Sequence, residues 1–158
     1  MPMDIKYKTE IEITLVPTYH SSPPEIKYGI NECNHHCILT EPTVIKLQEN
    51  LFPGNHCFII DFFNKTNDDC IPDLNLDKTI TIKDVKIGNI KSDKFKWISE
   101  YTPRYPEPWY SEQIIKPAPT QFGATVLGFN GEWKINFSSP VYTWIHQIKN
   151  MGWIWPID

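Results

Sequence analysis

Residues 5–15, Ile5-Lys6-Tyr7-Lys8-Thr9-Glu10-Ile11-Glu12-Ile13-Thr14-Leu15, decide the fold. Ile5, Tyr7, Thr9, Ile11, Ile13 and Leu15 are apolar or β-favouring, while Lys6, Lys8, Glu10, Glu12 and Thr14 are polar. A period of two puts one set on each face of a strand, so this stretch reads as a long strand with one wet face. Outward from it, Pro17 to Pro24 is a turn-rich connection, and Ile26, Tyr28 and Ile30 repeat the period. Short runs at 37–40 and 43–47, the turn Pro53-Gly54-Asn55 and the apolar run 57–63 continue at the spacing of a sandwich. In the strand expected over 79–90, Ile80 and Ile82 keep one phase and Val85 and Ile87 the other, which predicts a β-bulge near Lys83 or Asp84. Asn130-Gly131, between 124–129 and 132–137, predicts a tight hairpin. Phe95 to Pro108 reads as a long ordered loop. Ser139-Pro140 before Val141, Trp144, Ile145 and Ile148 predicts a short helix ending near Gly152. The expected fold is all-β: one domain over residues 1–158, an antiparallel β-sandwich of jelly-roll type with a short C-terminal helix.

Composition agrees. A chain of 158 residues with 41% hydrophobic content can bury one core, and 14 prolines against 7 glycines describe short extended pieces joined by stiff loops. The formal charge of −4, with no dense Lys/Arg cluster, argues against nucleic acid as a partner. No stretch approaches the roughly 20 apolar residues of a bilayer span, so no membrane partner is expected. The first residues alternate instead of forming a signal-peptide core, which predicts synthesis in a cytosol and free thiols at Cys33, Cys37, Cys57 and Cys70.

The strongest functional signal is the loop after the apolar strand, rich in hard oxygen ligands: Asn64, Asn67, Asp68, Asp69, Asp73, Asn75 and Asp77. Counted from Asp73 as a helix-flanked calcium loop it fails, because position 6 is Lys78 where glycine is required. A looser calcium site drawn from Asn64, Asp68, Asp69, Asp73, Asn75 and Asp77 remains, against the alternative that these residues only make Asx-turns. Cys33, His35, His36, Cys37, His56 and Cys57 are zinc-ligand types, but the spacing fits no zinc knuckle and adjacent His35 and His36 point to opposite faces of a strand.

Trp97, Tyr101, Arg104, Tyr105, Trp109 and Tyr110 supply rings and a guanidinium suited to glycan or partner contact, or to a secondary core folded over the sandwich edge. Trp144, Trp153 and Trp155 would leave large apolar areas wet and are candidate partner contacts. There is no nucleophile elbow, P-loop, zinc-protease helix or dinucleotide turn, and adjacent Asp68 and Asp69 diverge, so no catalytic residue is assigned.

Two resemblances follow. The order Phe63-Asn64-Lys65, an acidic loop ending in Asp77-Lys78, then Ile80-Thr81-Ile82-Lys83-Asp84-Val85-Lys86-Ile87-Gly88 is similar to calcium-dependent xylan-binding jelly-roll modules over about a fifth of the chain. Lys65 stands where that family has Asp, and Lys78-Thr79 where it has Arg-Asn. More broadly, Gly29-Ile30-Asn31, Pro53-Gly54, Phe63-Asn64-Lys65 and Asp69, with Trp144-Ile145-His146-Gln147 and Gly152-Trp153-Ile154, resemble uncharacterised small β-sandwich proteins of marine cyanophages. That resemblance implies a non-enzymatic structural module of a bacteriophage virion, a decoration, tail or baseplate component. It would be made in the host cytoplasm and would dock on other virion proteins or on copies of itself. The alternative is a calcium-dependent carbohydrate-binding module recognising a host-surface glycan. No resident cofactor is expected, calcium being the exception the loop allows.

Overall fold

The computed structural model describes residues 5–149. The strands are β1 (Tyr7–Thr18), β2 (Glu25–Ile30), β3 (His35–Ile38), β4 (Thr43–Leu51), β5 (Gly54–Phe62), β6 (Thr79–Ile87), β7 (Ile90–Lys91), β8 (Glu100–Pro103), β9 (Gln121–Phe122), β10 (Val126–Leu127) and β11 (Gly131–Ser139). The helices are α1 (Lys94–Trp97), α2 (Trp109–Glu112) and α3 (Val141–Lys149). One antiparallel sheet runs β10-β6-β1-β4 with β7 beside β6, and the other runs β3-β2-β5-β11-β8-β9. This is the antiparallel sandwich with a C-terminal helix that the alternation predicts.

The opening strand explains why the sheets face each other. Thr9, Ile11, Ile13 and Leu15 are buried while Lys8, Glu10, Glu12 and Thr14 keep contact with water. Ile13 lies opposite Ile45 of β4 and Val85 of β6, so three branched side chains share one face of the sheet. The other sheet answers with Ile26, Phe58, Ile60, Phe62, Trp133 and Ile135, all at most 1% exposed. Burying one such side chain contributes about 1.5–3 kcal/mol. The phase change in β6 is a bulge: Thr14 pairs with Asp84 and Leu15 with Ile82, leaving Lys83 as the extra residue. That single insertion lets both Ile82 and Val85 reach the core.

Three expectations are corrected. Asn130-Gly131 does not close a hairpin, because β10 pairs with β6 in one sheet while β11 pairs with β5 and β8 in the other. The dipeptide is the crossing between sheets. Phe95 to Pro108 is not all loop: it holds α1 and β8, and Tyr101 on β8 is 1% exposed, so it is a core residue and not a contact surface. Trp144 is likewise interior, 9% exposed on α3, stacked on Phe95 at 6.0 Å and edge-on to Phe137 at 6.1 Å. Ring packing removes the wet apolar area that made it a candidate contact. Trp153 and Trp155, and the predicted helix end near Gly152, lie outside the described residues.

Candidate functional site

The acidic loop and the aromatic segment meet. A cleft of about 440 Å³ is lined on one side by Lys65, Thr66, Asn67, Cys70, Pro72 and Asp77, and on the other by Arg104, Pro106, Pro108, Trp109 and Glu112, with Gly128, Phe129 and Asn130 between them. Each wall leaves a strand end. Phe62 closes β5 and leads into the 64–78 loop, which is shaped by 3-10 turns at Asn67–Asp69 and Pro72–Leu74. Pro103 closes β8 and leads to Arg104 and α2.

The inter-sheet crossing ties these walls together. The Asn130 side chain accepts from the Lys65 backbone N–H at 2.8 Å and donates to the Lys65 carbonyl at 2.8 Å, while the Asn130 backbone carbonyl accepts from the Arg104 backbone N–H at 2.7 Å. Tyr101, buried beneath, donates its hydroxyl to the Phe129 carbonyl and accepts the Phe129 N–H at 3.0 Å. Burial pushes the Tyr101 phenol far above its ordinary range, and the Phe129 hydrogen bond opposes this only in part. Tyr101 therefore stays a neutral hydroxyl that positions Phe129.

The rings form one cluster. Phe129 lies 5.0 Å from Tyr105 and 5.0 Å from Trp109, and Tyr105 stacks on Trp109 at 5.7 Å and on Tyr110 at 5.8 Å. Asn67 crosses the cleft to donate to the Glu107 carbonyl at 3.2 Å. The cations are already matched: Arg104 donates to Asp61 at 2.9 Å and to the Phe62 carbonyl at 3.0 Å. Lys65 Nζ donates to Asp77 Oδ1 at 2.5 Å and to the Gly128 carbonyl at 2.6 Å, with the Phe129 ring centroid 5.5 Å away. The result is a ring-walled cleft whose two cations, Lys65 and Arg104, are internally neutralised.

Of the residues expected to contact a glycan or partner, Arg104 and Trp109 line this cleft, while Tyr105 and Tyr110 line a neighbouring one with Lys116, Pro117, Ala118 and Pro119. Trp97, 45% exposed, borders a different depression with Asp84, Lys91 and Asp93. Three of the six oxygen residues of the loop, Asn64, Asp69 and Asp77, are engaged by separate partners. Asn64 Oδ1 accepts the Glu25 N–H at 2.8 Å, and its amide donates to the Pro23 carbonyl at 3.0 Å. Asp69 is buried and accepts from the Thr66 N–H at 2.7 Å, the Thr66 hydroxyl at 3.1 Å and Lys78 Nζ at 3.3 Å. Asp68, Asp73 and Asn75 are exposed. Among the described residues no three His, Cys, Asp or Glu side chains assemble to hold a metal. Calcium asks for six to eight oxygens, and the donor set of this loop does not fit it.

The zinc-type residues are apart in role as well. His35 stacks on Tyr28 at 5.2 Å, His36 bonds Glu25 at 3.0 Å, and His56 bonds Asn31 and the Phe52 carbonyl. The four cysteines are free thiols.

Phe129 and Cys70 line the cleft without a site signal in the sequence, Lys65 stands out only as a departure from the calcium-dependent pattern, and Asn130-Gly131 carries only the local pattern of a hairpin. A glycine is needed there because a Cβ at Gly131 would sit 2.4 Å from the Thr102 carbonyl oxygen, at φ +155°.

No family model and no curated protein matches the chain. Among solved structures it is similar to the selenomethionine form of vCBM60, described with circular permutation as an evolutionary link between two families of calcium-dependent carbohydrate-binding modules. The TM-score is 0.53 and the identity 9%, over 80% of this chain and 89% of that one. At that identity the likeness establishes the fold, a sandwich of the kind carbohydrate-binding modules use, and the function must be argued from the site.

Proposed function

We propose that this chain is a non-catalytic carbohydrate-binding module whose ligand occupies the cleft between the 64–78 loop and the Arg104–Glu112 segment. The observation that carries the reading is the meeting of Trp109 and Phe129 with Arg104, Asn67, Asn130 and Lys65 around one volume of about 440 Å³. That size suits a small ligand, and rings with a few placed polar groups are what a sugar needs: apolar C–H faces against the ring, hydroxyls against side-chain donors and acceptors. Because Asp61 and Asp77 already neutralise Arg104 and Lys65, the reading favours neutral sugars over acidic ones. Asp69, held ionised by the Thr66 N–H and Lys78, is poorly suited to give up a proton as a general acid near neutrality.

The experiment is a screen of neutral polysaccharides by affinity electrophoresis, repeated with Trp109→Ala. Retardation by a neutral glycan, reduced at least tenfold in affinity by the substitution, is expected; a tenfold loss corresponds to about 1.4 kcal/mol. No retardation by any glycan, or equal retardation of the variant, sinks the reading.

The virion reading stands second, and the one observation behind it speaks for a docking partner of any kind. Ile114 and Ile115 are 101% and 88% exposed beside the Pro117–Pro119 segment, an apolar pair that a docking partner would cover. Mass spectrometry of purified phage particles tests it. Absence of the protein from particles removes it, and presence with no glycan binding puts it first.

A further inference from the structure

We infer that Lys65 and Lys78 act as resident cations of the 64–78 loop, so that the loop keeps its shape and the cleft keeps its ligand without a divalent ion. Retention of the ligand rests on the carbohydrate reading above; the shape of the loop does not.

The geometry is that of two internal counter-ions. Lys78 Nζ, on a side chain only 2% exposed, lies 3.3 Å from Asp69 Oδ2, 3.0 Å from Ser22 Oγ and 3.5 Å from the Asn64 carbonyl. It ties the loop's interior carboxylate to the connection that precedes β2. Lys65 Nζ, on a side chain 10% exposed, joins Asp77 to the Gly128 carbonyl and so ties the loop to the inter-sheet crossing. A metal ion cross-links a loop by gathering oxygens from several segments; here each ammonium gathers them with its donor hydrogens. The buried carboxylate of the loop, Asp69, and the half-exposed one on the cleft wall, Asp77, are both engaged. Drawing Asp69 toward calcium would leave Lys78 buried without its counter-ion, which is strongly unfavourable. Asp68 and Asp73 are exposed, and Asn64 Oδ1 is committed to the Glu25 N–H.

The test needs no glycan. Thermal melts of the whole chain in millimolar calcium and in chelator, with calorimetric titration of calcium into the chelator-treated protein, are expected to give coincident melting curves and no binding heat. Binding heat, or a melting temperature raised by roughly 5–10 °C at about a hundredfold excess over Kd, overturns the inference. Lys65→Gln supplies the second arm, since Asp77 is 41% exposed and can be solvated when its partner is lost. The variant is expected to be cleaved faster within residues 64–78 by limited proteolysis, equally in calcium and in chelator. Unchanged cleavage overturns the part assigned to Lys65. If no glycan binds but the melts still coincide, the carbohydrate reading falls and the resident-cation inference stands.

Discussion

Replacing Lys78 by Met is the sharpest test of how the site is held. The Lys78 side chain is 2% exposed and that of its partner Asp69 is 6% exposed. Met keeps the length and apolar stem and removes the charge. Asp69 would then retain only the Thr66 N–H and hydroxyl, and Ser22 Oγ would lose the ammonium. Removing one member of a buried pair costs about 3–5 kcal/mol, because the survivor stays desolvated without its counter-charge. At roughly 2–4 °C per kcal/mol for a chain of this size, the melting temperature should fall by about 6–20 °C. Urea unfolding followed by tryptophan fluorescence measures the same quantity. The double variant Lys78→Met with Asp69→Asn leaves no buried charge, so it should be less destabilised than the sum of the singles by about 0.5–3 kcal/mol. Acid gives an independent check. Burial alone would raise the Asp69 carboxyl, but the Thr66 backbone N–H and then Lys78 outweigh it and hold the group below the ordinary carboxylate range. A folded value below the unfolded one means stability that is present above the unfolded pKa of about 3.9 and is lost as pH falls through the folded value. That acid-sensitive part should vanish in Asp69→Asn. A loss under about 1 kcal/mol for Lys78→Met, or strict additivity in the cycle, would refute the reasoning.

Three further outcomes are expected. Tyr101→Phe leaves the Phe129 N–H and carbonyl without their shared hydroxyl, costing about 1–3 kcal/mol by thermal melt and weakening glycan binding, because Phe129 faces the cleft. Gly131→Ala places a Cβ against the Thr102 carbonyl and the Pro103 Cα, which should cost about 1–3 kcal/mol in a urea titration as β11 is pushed from β8 at the cleft rim. Iodoacetamide at pH 8 with peptide mapping should label exposed Cys70 first and leave Cys33 almost unmodified. Burial, then the Asp61 and Glu132 carboxylates, push the Cys33 thiol up to about 11, leaving a thiolate fraction of about one in a thousand. A bound glycan should slow the reaction of Cys70, which lies on the cleft wall.

The strands were legible wherever burial imposes a period on the side chains. Thr9 to Leu15 face the core alternately, and the phase break at Lys83 marked the bulge, because a single inserted residue flips every later side chain to the other face. Partnership was not legible. Asn130-Gly131 satisfies the local rules of a hairpin, yet β10 and β11 belong to different sheets, and only the long-range Asn130–Lys65 and Arg104–Asn130 hydrogen bonds show why. Aromatic exposure was equally ambiguous. Tyr101 and Trp109 lie in one ring-rich segment, but β8 turns Tyr101 inward while α2 places Trp109 on the cleft wall.

The loop carboxylates carry the more general point. Read along the chain, Asp69 and Asp77 are hard oxygen ligands, and their density suggests a metal. Their partners lie nine and twelve residues away, at Lys78 and Lys65. No local pattern joins residues at those separations; the 3-10 turns between them do, by folding the chain back so that Ile71 pairs with Leu76. The oxygens that point inward had therefore to be neutralised by something, and whether an ion or a lysine does so depends on which side chains the turns deliver. Here they deliver ammonium groups. Of the positions at which the sequence departs from the calcium-dependent pattern it resembles, Lys65, Lys78 and Thr79, only Lys65 puts a cation where that pattern has a carboxylate, and that ammonium is the one paired with Asp77.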